Sequence, residues 1–262
     1  IFAQIIIQPD PPLESLVERV VGELQFENVT YQGTNVTKSL FENAGTTNLG
    51  MDRGIILCTG DPYYIPGPNT DCFGVWPWND PGHPLLDAIQ SDGITRDAAV
   101  LEYDVIPEKE TLTFSYVFAS EHYPDWGTFY SDVFGCFITG PDPEGGYYTD
   151  KNIALLPEAG NITIQISTIN NGYAPCGIIP MGPCVNCEYL IDNTNGQTLE
   201  YDAFTVLLDM SIPVIPCESY HVFMGIADGG LMSWSSSAVF IRESTYKTPA
   251  LDISLQDRKS VV

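Results

Sequence analysis

From Ala99 onward, apolar and polar positions alternate with a period of two: Leu101, Tyr103 and Val105 fall on one side, Glu102 and Asp104 on the other. Successive side chains of a strand point to opposite faces, so this alternation predicts a strand with one face buried. It recurs through Leu112, Phe114, Tyr116 and Phe118, through Ile162, Ile164 and Ile166, and over 220–227 and 237–241. A helical period occurs at the start, where Leu13, Leu16, Val17, Val20 and Val21 recur at three- and four-residue spacing with Glu14, Glu18 and Glu23 as polar positions. That spacing predicts one helix covering an end of the sheets. Many short strands at loop-rich spacing predict an all-β fold, a jelly-roll-like β-sandwich with one N-terminal helix and long loops.

The 23 glycines and 20 prolines sit between short apolar runs and mark frequent turns. Two long segments, 60–95 and 170–200, interrupt the strand pattern; irregular stretches of that length act as binding surfaces or insertions. The first carries Tyr63, Tyr64, Phe73, Trp76 and Trp78 among prolines. These rings either pack over a sheet edge as a lid or present a platform for a sugar ring or a partner's side chain, with Trp76, Trp78, Tyr63 and Tyr64 as the ligand-binding candidates. The expected organisation is an N-terminal extension over 1–12 following a signal-peptide region, a domain over 13–247, and a linker or the start of a following module over 248–262. Three of the ten basic residues, Lys247, Arg258 and Lys259, fall at that last junction.

Charge narrows the choice of partner. With 34 acidic against 10 basic residues, the formal net charge is −24, a field that repels phosphate backbones and anionic lipid headgroups and removes nucleic acid as a partner. No apolar run reaches the roughly 18–20 residues that cross a bilayer, so no direct membrane insertion is expected. Seven cysteines point to an oxidising compartment, because Cys176, Cys184 and Cys187 cluster in a Pro/Gly-rich loop that a disulfide would fix. Cys72 and Cys217 complete the disulfide candidates. Zinc-knuckle spacing at Cys184 and Cys187, with His221 as a further donor, and reduced thiols are the alternatives. Cys58 and Cys136 lie inside apolar runs and are expected to pack as small hydrophobes.

Candidate chemistry concentrates between the runs 111–118 and 132–139, where a loop carries Glu121, Asp125 and Asp132. Calcium takes about six to eight oxygen ligands, and these three carboxylates, joined by Glu102 or Asp104 from a neighbouring strand, would form a partial shell. Asp202 and Asp228 are weaker candidates of the same kind. Enzymatic signatures are missing: there is no Gly-x-Ser-x-Gly elbow, zinc-protease helix or phosphate loop, and His83, His122 and His221 lie far apart. Ser120, Glu121 and His122 are consecutive, so on a strand they cannot converge as a triad.

A set of collinear segments carries a family resemblance: Asn28-Val-Thr-Tyr-Gln-Gly, Gly54-Ile-Ile-Leu-Cys-Thr-Gly-Asp, Ala99-Val-Leu-Glu-Tyr-Asp-Val-Ile-Pro, Phe114-Ser-Tyr-Val-Phe-Ala-Ser-Glu-His-Tyr, Asp132-Val-Phe-Gly-Cys-Phe-Ile-Thr-Gly-Pro and Cys217-Glu-Ser-Tyr-His-Val. Over about residues 13–246 the chain resembles the choice-of-anchor L domain of exported bacterial surface proteins, those of Bacteroidota among them. The resemblance implies a non-catalytic extracellular module on the outer cell surface, linked to adhesion and surface assembly. Two departures bear on metal binding: His122 stands where the family has a carboxylate, and Leu231 and Ser236 occupy usually acidic positions. The function expected is adhesion or binding of a glycan or protein on another surface, with calcium as a stabilising cofactor. A structural role in an extracellular filament, with neighbouring copies as partners and a strand donated from before Pro11 or after Thr248, is the alternative; a carbohydrate-active hydrolase is the third reading.

Overall fold

In the computed structural model, which describes residues 4–70, 78–90, 93–123, 131–157, 160–172, 184–230 and 236–247, the period-two runs form strands and the 13–21 run forms a helix. In chain order the elements are β1 (Ile6–Pro9), α1 (Leu13–Val21), β2 (Gln25–Gln32), β3 (Lys38–Glu42), β4 (Gly54–Cys58), a short α2 (Pro84–Asp87), β5 (Thr95–Ile106), β6 (Thr111–Ser120), β7 (Val133–Pro141) and β8 (Tyr147–Asn152). They continue with β9 (Ile164–Gln165), β10 (Leu190–Asp192), β11 (Ala203–Thr205), β12 (Leu208–Pro213), β13 (Tyr220–Gly229) and β14 (Ser237–Arg242). An eight-stranded sheet runs β1-β3-β4-β14-β6-β11-β10, with β12 also on β6; a six-stranded sheet runs β2-β5-β13-β7-β8, with β9 also on β7. The pairings are antiparallel throughout, and the result is an all-β sandwich.

The main core lies between the sheets, where Leu101, Tyr103 and Val105 of one meet Leu112, Phe114, Tyr116 and Phe118 of the other. Leu16, Val17, Val20 and Val21 of α1 join the same core, so the helix buries the face its spacing marks out. It stops at Gly22, whose φ of 68° suits glycine and whose N–H bonds Glu18 O. A Cβ at Gly22 would sit 2.6 Å from the carbonyl oxygen of Tyr246, so the close approach needs glycine as well.

Both sheets are also covered on parts of their outer faces. Leu49, Met51, Ile65, Leu199 and Tyr201 pack over Phe41, Ile56, Val117, Ala119 and Phe240, and Leu86 of α2 packs over Val100, Val133, Phe137 and Phe223. Strands buried on two faces lose polar alternation, which is why Ile55, Ile56 and Leu57 run apolar without a break. The segment set apart in sequence as an extension enters the fold: β1 pairs antiparallel with β3 of its own chain, from Ile6 opposite Glu42 to Pro9 opposite Ser39.

Registers sort the connections into two poles. Cys58 lies opposite Ala238, Ser120 opposite Ser237, Thr95 opposite Gly229, and Val133 opposite Ala227. The connections leaving these residues, 59–94, 121–132, 193–202 and 230–236, start from one pole, while the 43–53 connection between β3 and β4 leaves from the other. At the other pole Gly54 lies opposite Arg242, Tyr220 opposite Val105 and Pro213 opposite Thr111. The chain passes Lys247 there, at the far end from the long loops.

Candidate functional site

The long-loop pole is held by a fully buried carboxylate. Asp132 immediately precedes β7, with no exposed surface. Its Oδ2 accepts from the hydroxyl of Ser237 at 2.5 Å and lies 2.9 Å from Nδ1 of His122. Its Oδ1 accepts from the backbone N–H of Gly229 at 3.1 Å. An ionised carboxylate only accepts, so Nδ1 of His122 is the protonated ring nitrogen in this pairing. One side chain therefore ties together the start of β7, the turn after β6 and both ends of the 229–237 connection. Ser237 and Thr59 add a reciprocal pair: Ser237 N donates to Thr59 Oγ1 at 3.0 Å and Thr59 N to Ser237 O at 2.9 Å.

Further buried polar groups anchor the remaining loops. Asp97, at φ 49° where the β5–β13 register shifts, accepts from Asp80 N at 2.6 Å. Asp80 in turn accepts from the Thr34 hydroxyl at 2.5 Å. Asn69 donates to Asp202 Oδ1 at 3.0 Å and to Asn193 O at 3.1 Å, while Asn193 donates to the carbonyls of Leu199 and Tyr201 at 3.0 and 2.7 Å. Local signals for Asp97, Ser237 and Asn193 are weak, because each partner lies remote in sequence or on the backbone. A polar residue inside or beside an apolar run is the one cue that marks them.

Asp228 differs from its neighbours. It is buried, and among the described residues neither carboxylate oxygen accepts a hydrogen bond of normal geometry. Burial raises its pKa well above the ordinary 3.8, the charges of Asp132 and Asp97 raise it further, and the nearby Thr59 hydroxyl offsets only part of this.

The metal candidates do not assemble into one site. Glu121 and Asp132 are buried at the long-loop pole, while Asp125 lies outside the described residues. Glu102 and Asp104 sit farther along β5: Asp104 pairs with His221 and Arg96 with Asp228, a separation of eight residues, about 26 Å at ~3.3 Å per residue. Both carboxylates are occupied by protein donors: His221 Nδ1 lies 2.7 Å from Asp104, its Nε2 lies 3.0 Å from Glu102, and Asn28 donates to Asp104 at 2.7 Å. Burial alone would lower the pKa of His221, but its hydrogen bonds to the two carboxylates and their charges hold it above the ordinary value. Among the described residues no three His, Cys, Asp or Glu side chains converge as a metal-ligand set. Glu121 and Asp132 of the expected shell lie at one pole and Glu102 and Asp104 away from it, with Asp125 outside the described residues.

Ser237, Asp132 and His122 share one pole without forming a nucleophilic relay. A relay needs the imidazole between hydroxyl and carboxylate; here Ser237 donates to Asp132 directly, on the same oxygen that faces His122.

Tyr63 and Tyr64 are 67% and 61% exposed on a turn whose first N–H is capped by Asp61 at 3.0 Å, and Trp78 is 43% exposed. The Tyr63–Tyr64 turn lies beside β1, the edge strand of the larger sheet. Trp76 lies outside the described residues. Of the cysteine candidates, Cys184 and Cys187 are bonded to each other, which removes their zinc-knuckle reading. Cys217 is an exposed free thiol on the β12–β13 turn, so it drops out of the disulfide set. Cys58 and Cys136 are buried thiols, as their apolar settings predict. Cys72 and Cys176 lie outside the described residues.

The family model of the choice-of-anchor L domain matches residues 7–247, nearly the whole of the folded body. No curated protein and no solved structure matches the chain.

Proposed function

The chain belongs to the choice-of-anchor L domain family, which makes it a surface-associated module, and from that premise we propose that it is a non-catalytic display domain whose long-loop pole binds a glycan or protein on another surface. The observation that carries this reading is the division between poles. The connections 59–94, 121–132, 193–202 and 230–236 leave the strands at one end, around the buried anchors Asp132, Asp97 and Asn193, while Lys247 lies at the other. Loops on a rigid scaffold are where recognition surfaces are built, and a module tethered at the opposite end presents them outward. Among the described residues no helix is long and apolar enough to cross a membrane.

Tyr63, Tyr64 and Trp78 are the contact residues of this reading. Each presents a flat apolar face with a polar handle, and exposed rings of this kind dominate binding energy where they occur. The buried carboxylates act one layer below, as the frame that fixes the loops.

The test is binding of the full chain to immobilised glycans and to isolated cell-surface proteins. A Tyr63→Ala/Tyr64→Ala/Trp78→Ala variant should lose at least about tenfold in affinity, since each anchor of this type contributes on the order of 1–2 kcal/mol. Retained binding by a variant whose melting midpoint is unchanged would place the contact surface elsewhere.

A further inference from the structure

β1 is the last strand at one side of the eight-stranded sheet, and among the described residues β3 is its one ladder partner. The phase of that ladder fixes which main-chain groups face outward. Asp10 N donates to Lys38 O at 2.9 Å, which makes Pro9 and Ser39 a non-hydrogen-bonded pair, and pairs of the two kinds alternate along an antiparallel ladder. Ile7, opposite Phe41, repeats the phase of Pro9, so its N–H and C=O point away from β3. Pro9 fits the edge because the N–H it lacks would also face outward.

The two faces of this edge differ in chemistry. Ile5 and Ile7 turn toward the outer cover and join the cluster that holds Ile65. Ile65 directly follows Tyr63 and Tyr64, both exposed on the turn beside β1, so this face ends in two aromatic rings. Ile6 alternates to the other face, which it shares with Glu42 opposite it, and is 60% exposed. Exposed edges are ordinarily blunted by lysine or by a covering segment; at this position of β1 an isoleucine stands instead. An extended segment laid along β1 would bond the Ile7 main chain and place its side chains alternately against the tyrosines and against Ile6.

Charge along the edge specifies the partner. Asp10 and Glu42, at the two ends of the β1–β3 ladder, are each 51% exposed, whereas Lys38 and Arg19, which pair with them, are 5% and 17% exposed. The cations are covered and the carboxylates are not. Asp61 adds a third carboxylate at the tyrosine turn, and Arg53, beyond β3, is engaged by Asp52 and Glu243. A second copy of this chain would bring the same carboxylates and a net charge of −24 against them, which repels. A segment that places Lys or Arg on the Ile6 face is attracted instead, with its aliphatic stems over Ile6 and its charged heads near Glu42 and Asp10.

We propose that β1 accepts an added strand from another protein, an extended segment in which apolar residues alternate with Lys or Arg, held by the Ile7 main chain with its apolar side chains on Tyr63 and Tyr64 and its basic ones on the Ile6 face. This rests on the reading of the tyrosine turn as a contact surface and commits its partner to a polypeptide.

The probe is a blocked synthetic octapeptide alternating valine and lysine, titrated against the full chain and followed by fluorescence anisotropy and hydrogen exchange. It binds, slows exchange of the Ile7 amide by at least about tenfold, and leaves the Gln8 amide, already bonded within the ladder, unchanged; an octapeptide alternating valine and glutamate does not bind. Ile7→Pro removes the outward N–H without removing a ladder bond and weakens binding of the valine–lysine peptide by at least about tenfold. Binding of that peptide with no protection of Ile7 in the unaltered chain overturns the proposal, because attraction to the net charge alone would produce it. Binding of immobilised glycans through Tyr63 and Tyr64, with Ile7 unprotected by the peptide, overturns the added strand and leaves the tyrosine contact surface standing; loss of neither kind of binding in Tyr63→Ala/Tyr64→Ala/Trp78→Ala removes both. Ile7 protection without peptide, alongside multimers in light scattering, overturns the proposal by making a second copy the occupant.

Discussion

Removing the carboxylate of Asp132 should be among the most damaging single changes in this domain. Asp132→Ala leaves three buried donors without their acceptor: the Gly229 N–H, the Ser237 hydroxyl and the His122 ring N–H. Each orphaned donor costs about 1–3 kcal/mol, and hydrogen bonds to a charged acceptor sit at the upper end. Partial relaxation keeps the sum below simple addition, so the loss is about 3–5 kcal/mol. For a domain of this size 1 kcal/mol moves the melting midpoint by about 2–4 °C, which gives a drop of at least ~6 °C. Asp132→Asn retains an acceptor for Gly229 but turns an amide donor toward two other donors, and the hydroxyl of Ser237 can rotate away; it costs less, about 2 kcal/mol. The assay is calorimetric or circular-dichroism melting of both variants with urea titration as a cross-check. A double-mutant cycle with Ser237→Ala isolates the shared term. An Asp132→Ala midpoint within ~2 °C of the unaltered protein, or a cycle with no coupling, would show that the three bonds do not hold the pole together.

Two other outcomes follow from the same pole. Asp228 has its pKa raised by burial and by Asp132 and Asp97, so the folded state keeps a proton that the unfolded state releases above 3.8. Its contribution is complete below pH 3.8 and declines as pH rises toward the folded value. Asp228→Asn is therefore stabilising at neutral pH, by a margin that grows above pH 3.8 and closes below it in parallel melts; a margin independent of pH would contradict the burial argument. Because the carboxylates of Asp132, Glu102 and Asp104 are engaged by protein donors, a chelator should leave the melting midpoint in place. A drop reversed on returning calcium would assign the ligands to residues outside those described.

Much of the architecture was written in periodicity. Alternation at 99–105 and 112–118 marks strands because one face of each meets the other sheet, and Leu16, Val17, Val20 and Val21 mark a helix because they share one stripe. Cys58 and Cys136 were legible as buried thiols from their apolar neighbours alone. The candidate site was legible only in part. Glu121 and Asp132 were correctly placed at a loop–strand junction, but Glu102 and Asp104, which look the same in sequence, belong to a separate pairing with His221. Cys217 resembles Cys184 and Cys187 as a loop cysteine, yet it stays free.

What the chain determines by itself is what depends on composition and on neighbours a few residues away: strand and helix periods, turn positions, and the sign of the field set by a net charge of −24. What the tertiary structure decides is which distant groups meet. Asp132 lies 97 positions before Gly229 and 105 before Ser237, and only the antiparallel stacking of β7, β13 and β14 brings their polar atoms within 3.1 Å. A carboxylate acquires its role from the donors that surround it after burial. Local sequence carries its identity, and the sheet registers carry its partners.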